Sequence, residues 1–267
     1  VCEKPLANTV AEAETMVAAA NANKNLKNMV AFNYRRVPAV SLAKKMVEEG
    51  KIGRIFHIRA RYLQDWIVDP NFPLVWRLEK DKAGSGALGD IGAHAIDTTQ
   101  FVTGQKLIGV SGITETFIKE RPLPGDYSGL QASASGNKMG KVTVDDAAVF
   151  IGKTDGGALA TYEATRFAPG RKNDMGFEIF GSKGKLMCHT VWQHENDEAL
   201  LTLTTDSDGP KNEHIKKANH FDLEINHFNQ SIIDDTSPKL SLDDALWNTK
   251  TLEAIQASIN TKSWIKL

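Results

Sequence analysis

The chain has 267 residues, enough to bury a core in one large domain or two modest ones, and its 41% hydrophobic content is that of an ordinary globular protein. Lys plus Arg number 32 against 33 for Asp plus Glu, a net charge of -1, and no basic stripe interleaves with aromatic residues, so nucleic acid is not an expected partner. No apolar run approaches the length of a membrane span and no signal-type segment opens the chain. Two cysteines, Cys2 and Cys188, are too few for a disulfide framework or a structural zinc site, which makes the cytoplasm the expected compartment.

Val1 to Pro5 read as the end of a strand. A Thr9/Glu12 capping box then opens a helix whose apolar stripe is Val10, Ala13, Met16, Val17 and Ala20, and Met29 to Asn33 form a second strand. Strand, helix and strand with short connections make the unit of a parallel, doubly wound sheet. A complete dinucleotide-binding sheet would carry a Gly-x-Gly-x-x-Gly turn after its first strand and an acidic residue further on, and no segment here has that context. Tyr34-Arg35-Arg36 leads to Pro38 at a first helical position, and Gly50 closes that helix. The expected boundary falls there: residues 1–36 as the last part of a dinucleotide-binding Rossmann domain, and 37–267 as a second domain for substrate binding and oligomerisation.

From Ile55 the texture changes to antiparallel-type strands, near 55–64, 109–119, 141–152, 157–167, 175–180, 184–189 and 199–205, with a hairpin turn at Thr154-Asp155-Gly156-Gly157. Helices are predicted over 84–104, around Phe221, Ile225, Phe228 and Ile232, and over 242–260 after an N-cap at Ser241. The expected fold class is α/β plus α+β: the remnant of a Rossmann-type parallel sheet, then a large mixed, mainly antiparallel sheet with helices on one face. Residues 147–151 are apolar on both strand faces, which predicts cover on each, helices on one and a second subunit as a candidate for the other. The polar segment from Asp206 to Asn219 is expected to be flexible.

Chemistry concentrates in Gly84 to Gly104. Glycines crowd into the start of the predicted helix, and Asp90, His94, Asp97 and Phe101 share one face of it. A carboxylate one turn before a histidine can fix the ring's tautomer and stabilise its protonated form. The same residues also suit a plain helix cap with a buried polar histidine, and both readings stand at this point. A metal would need ligands beyond Asp90 and His94, and no further His or Cys partner is evident. No Gly-x-Ser-x-Gly elbow marks a hydrolase.

Lys4 lies at the C-terminal edge of a strand, where open parallel sheets bind ligands, and its ammonium could stabilise a developing negative charge; Pro5 admits a cis bond that would aim it. Gln64, Asp65 and Trp66 end a strand, and Trp76-Arg77 follow a Pro-rich loop, a set suited to a polyhydroxylated ligand or to pinning that loop on the core. Thr165 to Asn173 reads as a solvated strand exit.

Together, Glu3-Lys4-Pro5, Tyr34-Arg35-Arg36, Gly86 to Asp97, Val144 to Ala148 and Phe177 to Gly184 resemble the glucose-fructose oxidoreductase / inositol dehydrogenase (Gfo/Idh/MocA) family over essentially the whole chain. The resemblance implies hydride transfer between NAD or NADP and one secondary alcohol of a sugar, anhydrosugar or cyclitol, in a homodimer or homotetramer built through the sheet. It implies catalysis by Lys4, Asp90 and His94, with His94 taking the hydroxyl proton, Asp90 orienting it and Lys4 polarising the same oxygen. Substrate contacts are expected at Tyr34, Gln64, Asp65, Trp66 and Arg77, a loop pattern like that of members acting on pyranose or anhydrosugar rings. Cofactor contacts are expected at Glu3, Lys4, Pro5 and Arg35, with no metal. Against the family pattern the first part of the Rossmann domain, on the order of a hundred residues, is missing, so the sequence reads as a fragment or as the ordered part of a longer protein. A sugar-binding sensor or regulator and a cofactor-using glycosidase are the alternatives within the same family.

Overall fold

The computed structural model describes residues 1–128, 131–191, 198–205, 207–216 and 218–267. The N-terminal segment pairs Cys2 with Val30 in a single parallel bridge, and between them α1 (Val10–Ala22) starts at the expected capping box, where Thr9 accepts from Glu12 N and Thr9 N donates to the Glu12 carboxylate. The second strand is thus reduced to one bridge, and Asn33–Arg36 turn into a 3-10 helix, which swings the chain into α2 (Pro38–Glu48). Leu6, Ala13, Met29, Val30 and Phe32 form a small core of their own with Ala93, Leu240 and Ala245, so this segment packs on the helical layer of the remaining chain.

The main body is one nine-stranded sheet in the order β10-β9-β8-β7-β1-β6-β5-β2-β11. Its strands are β1 (Ile55–Leu63), β2 (Leu107–Glu115), β5 (Ala147–Thr154), β6 (Leu159–Thr165), β7 (Asp174–Gly181), β8 (Gly184–Val191), β9 (Glu198–Thr205), β10 (Lys211–Lys216) and β11 (Ile265–Lys266). All neighbours are antiparallel except β1 and β6, which run in parallel with Tyr62 opposite Ala164 and Leu63 opposite Thr165. That parallel pair matters for function, because the chain leaves both strands at the same edge of the sheet. Helices α2, α4 (Ala93–Thr103) and α6 (Leu242–Thr261) cover one face, over a core that includes Ile58, Tyr62, Phe150, Tyr162 and Ile255. On the other face Val149 and Ile151 are about half exposed, at 48% and 49%, so among the described residues one of the two expected covers is present.

Three expectations are corrected. The helix predicted over 84–104 begins later: a separate turn, α3 (Lys80–Ala83), ends before Gly84, and a π-helical turn at Leu88–Gly92 then leads into α4. The cause is close packing: a Cβ on Gly86 would lie 1.8 Å from the Asp145 carbonyl oxygen, so the chain must pass tightly over Asp145 before it can coil. Strands expected at 109–119 and 141–152 are shorter, because the chain between them folds into a separate two-stranded ribbon, β3 (Glu120–Ser128) with β4 (Gln131–Lys141). Its Pro-broken, polar sequence conceals the alternation that marks a strand. In the polar segment 206–219, Lys211 to Lys216 form β10 against β9; Asp206 and Lys217 lie outside the described residues. Between β10 and α6, α5 (His220–Ile233) is capped by Asn219.

No helix among the described residues is long and apolar enough to cross a membrane.

Candidate active site

The site is built where the π turn meets the shared edge of β1 and β6. Asp145 anchors the turn: one carboxylate oxygen accepts from Gly86 N and the other from Leu88 N, both at 2.8 Å. Gly84 to Gly89 spell Gly-x-Gly-x-x-Gly, yet the segment follows a helical turn and its amides are held by Asp145, so it is a packing turn and no phosphate cradle. In the π turn the Ala93 N–H reaches back to Leu88 O.

Lys4 docks against this turn across the cleft; the Lys4–Pro5 peptide is cis. Its Nζ donates to the Asp90 carbonyl at 2.6 Å and to Asp90 Oδ1 at 2.9 Å, and Arg166, leaving the end of β6, donates from its guanidinium to Asp90 Oδ2 at 2.7 Å. Arg166 is 1% exposed, Lys4 12% and Asp90 35% by side chain, so the carboxylate is open to the cleft while its counter-ions are enclosed. Burial alone would raise the Asp90 pKa, but Lys4 and Arg166 outweigh it and hold the carboxyl well below the usual carboxylate range. Asp90 is therefore a fixed anion.

His94 sits one turn on, buried at 8% exposure. Tyr34 meets its ring edge-on at 4.7 Å between centroids, with Phe32 and Tyr62 each at 6.0 Å. Burial, followed by the Lys4 charge, pushes its pKa well below the ordinary histidine value, against the opposing pull of Asp90. The ring is neutral at physiological pH and able to accept a proton. His94 Nδ1 is enclosed and finds no hydrogen-bond partner among the described residues, and no hydrogen bond joins it to Asp90, so the carboxylate acts on the ring through its field.

The other sequence-predicted residues divide into groups. Gln64 and Trp66 lie in a hydrogen-bonded chain with Tyr34: Trp66 Nε1 to Gln64 Oε1 at 3.0 Å, Gln64 Nε2 to Asn173 Oδ1 at 2.8 Å, Tyr62 hydroxyl to the same Oδ1 at 2.7 Å, and Tyr34 to Tyr62 at 2.6 Å between hydroxyl oxygens. Trp66 also lies 5.3 Å from the Arg166 guanidinium, ring centroid to Cζ. Arg77 stacks on Trp76 at 4.5 Å and its carbonyl accepts from Arg166. Asp65 turns the other way, to Gly170 N and Lys172 Nζ. Glu3 is exposed and accepts from Lys4 N. Arg35 is inside the protein: its guanidinium grips Asp97 at 2.6 Å, reaches Asp244 at 3.2 Å and lies 5.1 Å from the Phe101 ring. Asp97 and Phe101, on the predicted helix face with Asp90, thus serve the Arg35 contact.

Three side chains of the site escape the sequence reading: Arg166, Tyr62 and Asn173. The expected solvated strand exit from Thr165 to Asn173 does not hold at Arg166, which is buried. The signal was present as a period of two, since Ala160, Tyr162, Ala164 and Arg166 alternate on the helix-covered face, as Ile58, Ala60 and Tyr62 do on β1.

Lys4, Asp90 and Arg166 line a cleft of about 660 Å³ together with Asn8, Thr9, Trp76, Arg77 and Leu252 of α6. Sequence comparison places this arrangement in a family: residues 40–187 match the profile of the GFO/IDH/MocA C-terminal domain. The chain belongs to the Gfo/Idh/MocA family. Among curated relatives it is 46% identical over 210 residues to levoglucosan dehydrogenase of Pseudarthrobacter phenanthrenivorans, a match covering 77% of this chain and 52% of that protein. Among solved structures it is similar to an oxidoreductase domain protein from Kribbella flavida (TM-score 0.88, 45% identity, 99% of this chain and 73% of that one). It is also similar to levoglucosan dehydrogenase in complex with NADH and levoglucosan (TM-score 0.86, 36% identity, 100% of this chain and 73% of that one). The chain thus spans about half the length of that curated relative.

Proposed function

We propose that the protein carrying this chain is a nicotinamide-dependent dehydrogenase of an anhydrosugar or related pyranose, with levoglucosan as the first substrate to test. The observation that carries the reading is a neutral, buried His94 with an unpartnered ring nitrogen beside a Lys4–Asp90–Arg166 cluster on an open cleft. The likeness to levoglucosan dehydrogenase supports the substrate class.

Each residue has a task that its present bonding leaves it able to perform. An ammonium has three N–H donors, and Lys4 spends two on Asp90, so the third remains for a substrate oxygen and for the negative charge that develops there. Asp90, held anionic, keeps that ammonium in place, and Arg166 balances the second carboxylate oxygen. His94 takes the hydroxyl proton at a ring nitrogen, which requires the neutral form that burial provides. Trp66 and Gln64 present an aromatic face and an amide to the ring and hydroxyls of a sugar.

A nicotinamide cofactor fits this site at one end. The cleft lies within the size range of small-molecule pockets, and it opens beside Lys4, Pro5, Asn8 and Thr9, which would hold the nicotinamide end. Bound there, the cofactor would supply the hydride acceptor. Residues 1–36 are read as the last part of the dinucleotide-binding domain, and the half-exposed face bearing Ile113, Val149 and Ile151 as the surface joining two copies.

The test is the full-length gene product with levoglucosan and NAD or NADP, followed by reduced cofactor. His94→Ala should lower kcat by about two to four orders of magnitude. Unchanged turnover in that variant rules out His94 as the base, and sugar binding without cofactor reduction in the unsubstituted protein moves the reading to a sensor.

A further inference from the structure

The hydrogen-bonded chain from Trp66 to Tyr34 has a direction, and the direction is fixed by chemistry. An indole N–H can only donate, so Gln64 must turn its carbonyl oxygen to Trp66 and its NH₂ to Asn173. Asn173 must then present Oδ1 to Gln64, and the same oxygen takes the Tyr62 hydroxyl as a second donor. With its proton given to Asn173, Tyr62 can only accept from Tyr34. Tyr34 has therefore spent its proton on Tyr62, while its ring meets the His94 ring edge-on. Burial raises the pKa of both phenols, so both protons stay in the chain at neutral pH.

We infer that Asn173 is a positioning residue that sets the polarity of the sugar site: by accepting from both Gln64 and Tyr62, it ties the substrate loop to the wall beside His94 and fixes the Tyr34 hydroxyl as the donor to Tyr62. The inference rests on the dehydrogenase reading for its consequence in turnover, while the hydrogen-bonded chain can be tested without turnover. Asn173 leads into β7 and, among the described residues, makes no hydrogen bond to Lys4, Asp90 or His94, so it acts through its neighbours.

The experiment compares Asn173→Leu, which removes both acceptor contacts, with Asn173→Asp, which keeps an oxygen in the same place. The first readout is the indole N–H resonance of Trp66 in the full-length protein, identified by its loss in Trp66→Phe. Asn173→Leu should shift it and speed its exchange with solvent, because Gln64 loses its anchor, and Asn173→Asp should leave it near its original place. The second readout is kinetic: in Asn173→Leu the KM for levoglucosan should rise about tenfold with kcat changed by less than about threefold, and Asn173→Asp should restore most of it. An indole signal unmoved in Asn173→Leu overturns the inference whatever the turnover. A KM unmoved while the indole shifts also overturns it. A protein that shows the indole effects but oxidises no sugar overturns the functional reading and upholds the positioning of Trp66 by Asn173.

Discussion

Replacing Arg166 by Met removes one of the two cations on Asp90, and with it the guanidinium over the Trp66 ring, while keeping an unbranched apolar side chain in its place. The guanidinium is 1% exposed and 2.7 Å from Asp90 Oδ2, the geometry in which loss of one partner from a buried pair costs about 3–5 kcal/mol. Two features reduce that figure here. Asp90 is 35% exposed to the cleft, and Lys4 stays bonded to its other oxygen, so the expected loss is about 2 kcal/mol near neutral pH. The pH dependence identifies the cause. In the native protein Lys4 and Arg166 override the effect of burial and hold the Asp90 carboxyl below its unfolded value. The resulting stability is fully present above the unfolded pKa, about 3.9, and is lost as pH falls from there through the folded value. Urea unfolding of both proteins at a series of pH values should therefore show a constant difference above about pH 5 that narrows below about pH 4. A difference that stays the same down the acid limb would refute the electrostatic account and assign Arg166 to packing.

Lys4→Met should lower kcat/KM and also move the acid limb of its pH profile upward. Lys4 acts with burial to depress the His94 pKa, so its removal raises the pH below which the base is lost; an unmoved limb would separate Lys4 from His94. Gly86→Ala should destabilise the fold by about 3 kcal/mol or more in denaturant titration, because the new methyl must displace the Asp145 backbone that anchors the π turn; a change under about 1 kcal/mol would show that the turn yields. Glu224→Gln should stabilise the protein above neutral pH and do nothing in acid. Burial, opposed by Arg36 and reinforced by Glu3 and Asp97, lifts the Glu224 carboxyl to about 7, so ionising it weakens the fold as pH rises from the unfolded value of about 4.3 towards 7. A gain of about 2 kcal/mol at pH 8 and none at pH 4 is expected, and equal effects at both would contradict it.

What the sequence disclosed about the site follows from the range over which each signal acts. Asp90 and His94 are four residues apart, and Lys4 stands beside a proline at a strand end, so local spacing was enough to single them out. Their counter-ion was not legible in the same way. Arg166 is 76 residues from Asp90, and no local pattern shows which partner a buried arginine will find; only the alternation along β6 indicated that it points inward. Arg35 shows the converse, since its place beside Tyr34 resembled a cofactor contact, whereas Asp97 and Asp244, 62 and 209 residues away, take up its guanidinium. The π turn was hidden for a different reason. Its cause is the passage of Gly86 over the Asp145 backbone, a contact between distant segments that a periodicity argument cannot contain.

The parallel register of β1 and β6 joins these observations. In an antiparallel neighbour the residues following Thr165 would leave the sheet at the opposite end from those following Leu63. Run in parallel, β6 delivers Arg166 to Asp90 and β1 delivers Gln64 and Trp66 to Asn173, at one edge, with Arg166 lying over the Trp66 ring. The charge that neutralises Asp90 is thus also a wall of the substrate loop. A change at Arg166 should therefore alter both catalysis and sugar affinity, whereas a change at Asn173 should alter affinity alone. That split between two neighbours on one sheet edge is the kinetic signature expected of this arrangement, and kcat and KM measured separately for the two variants would reveal it.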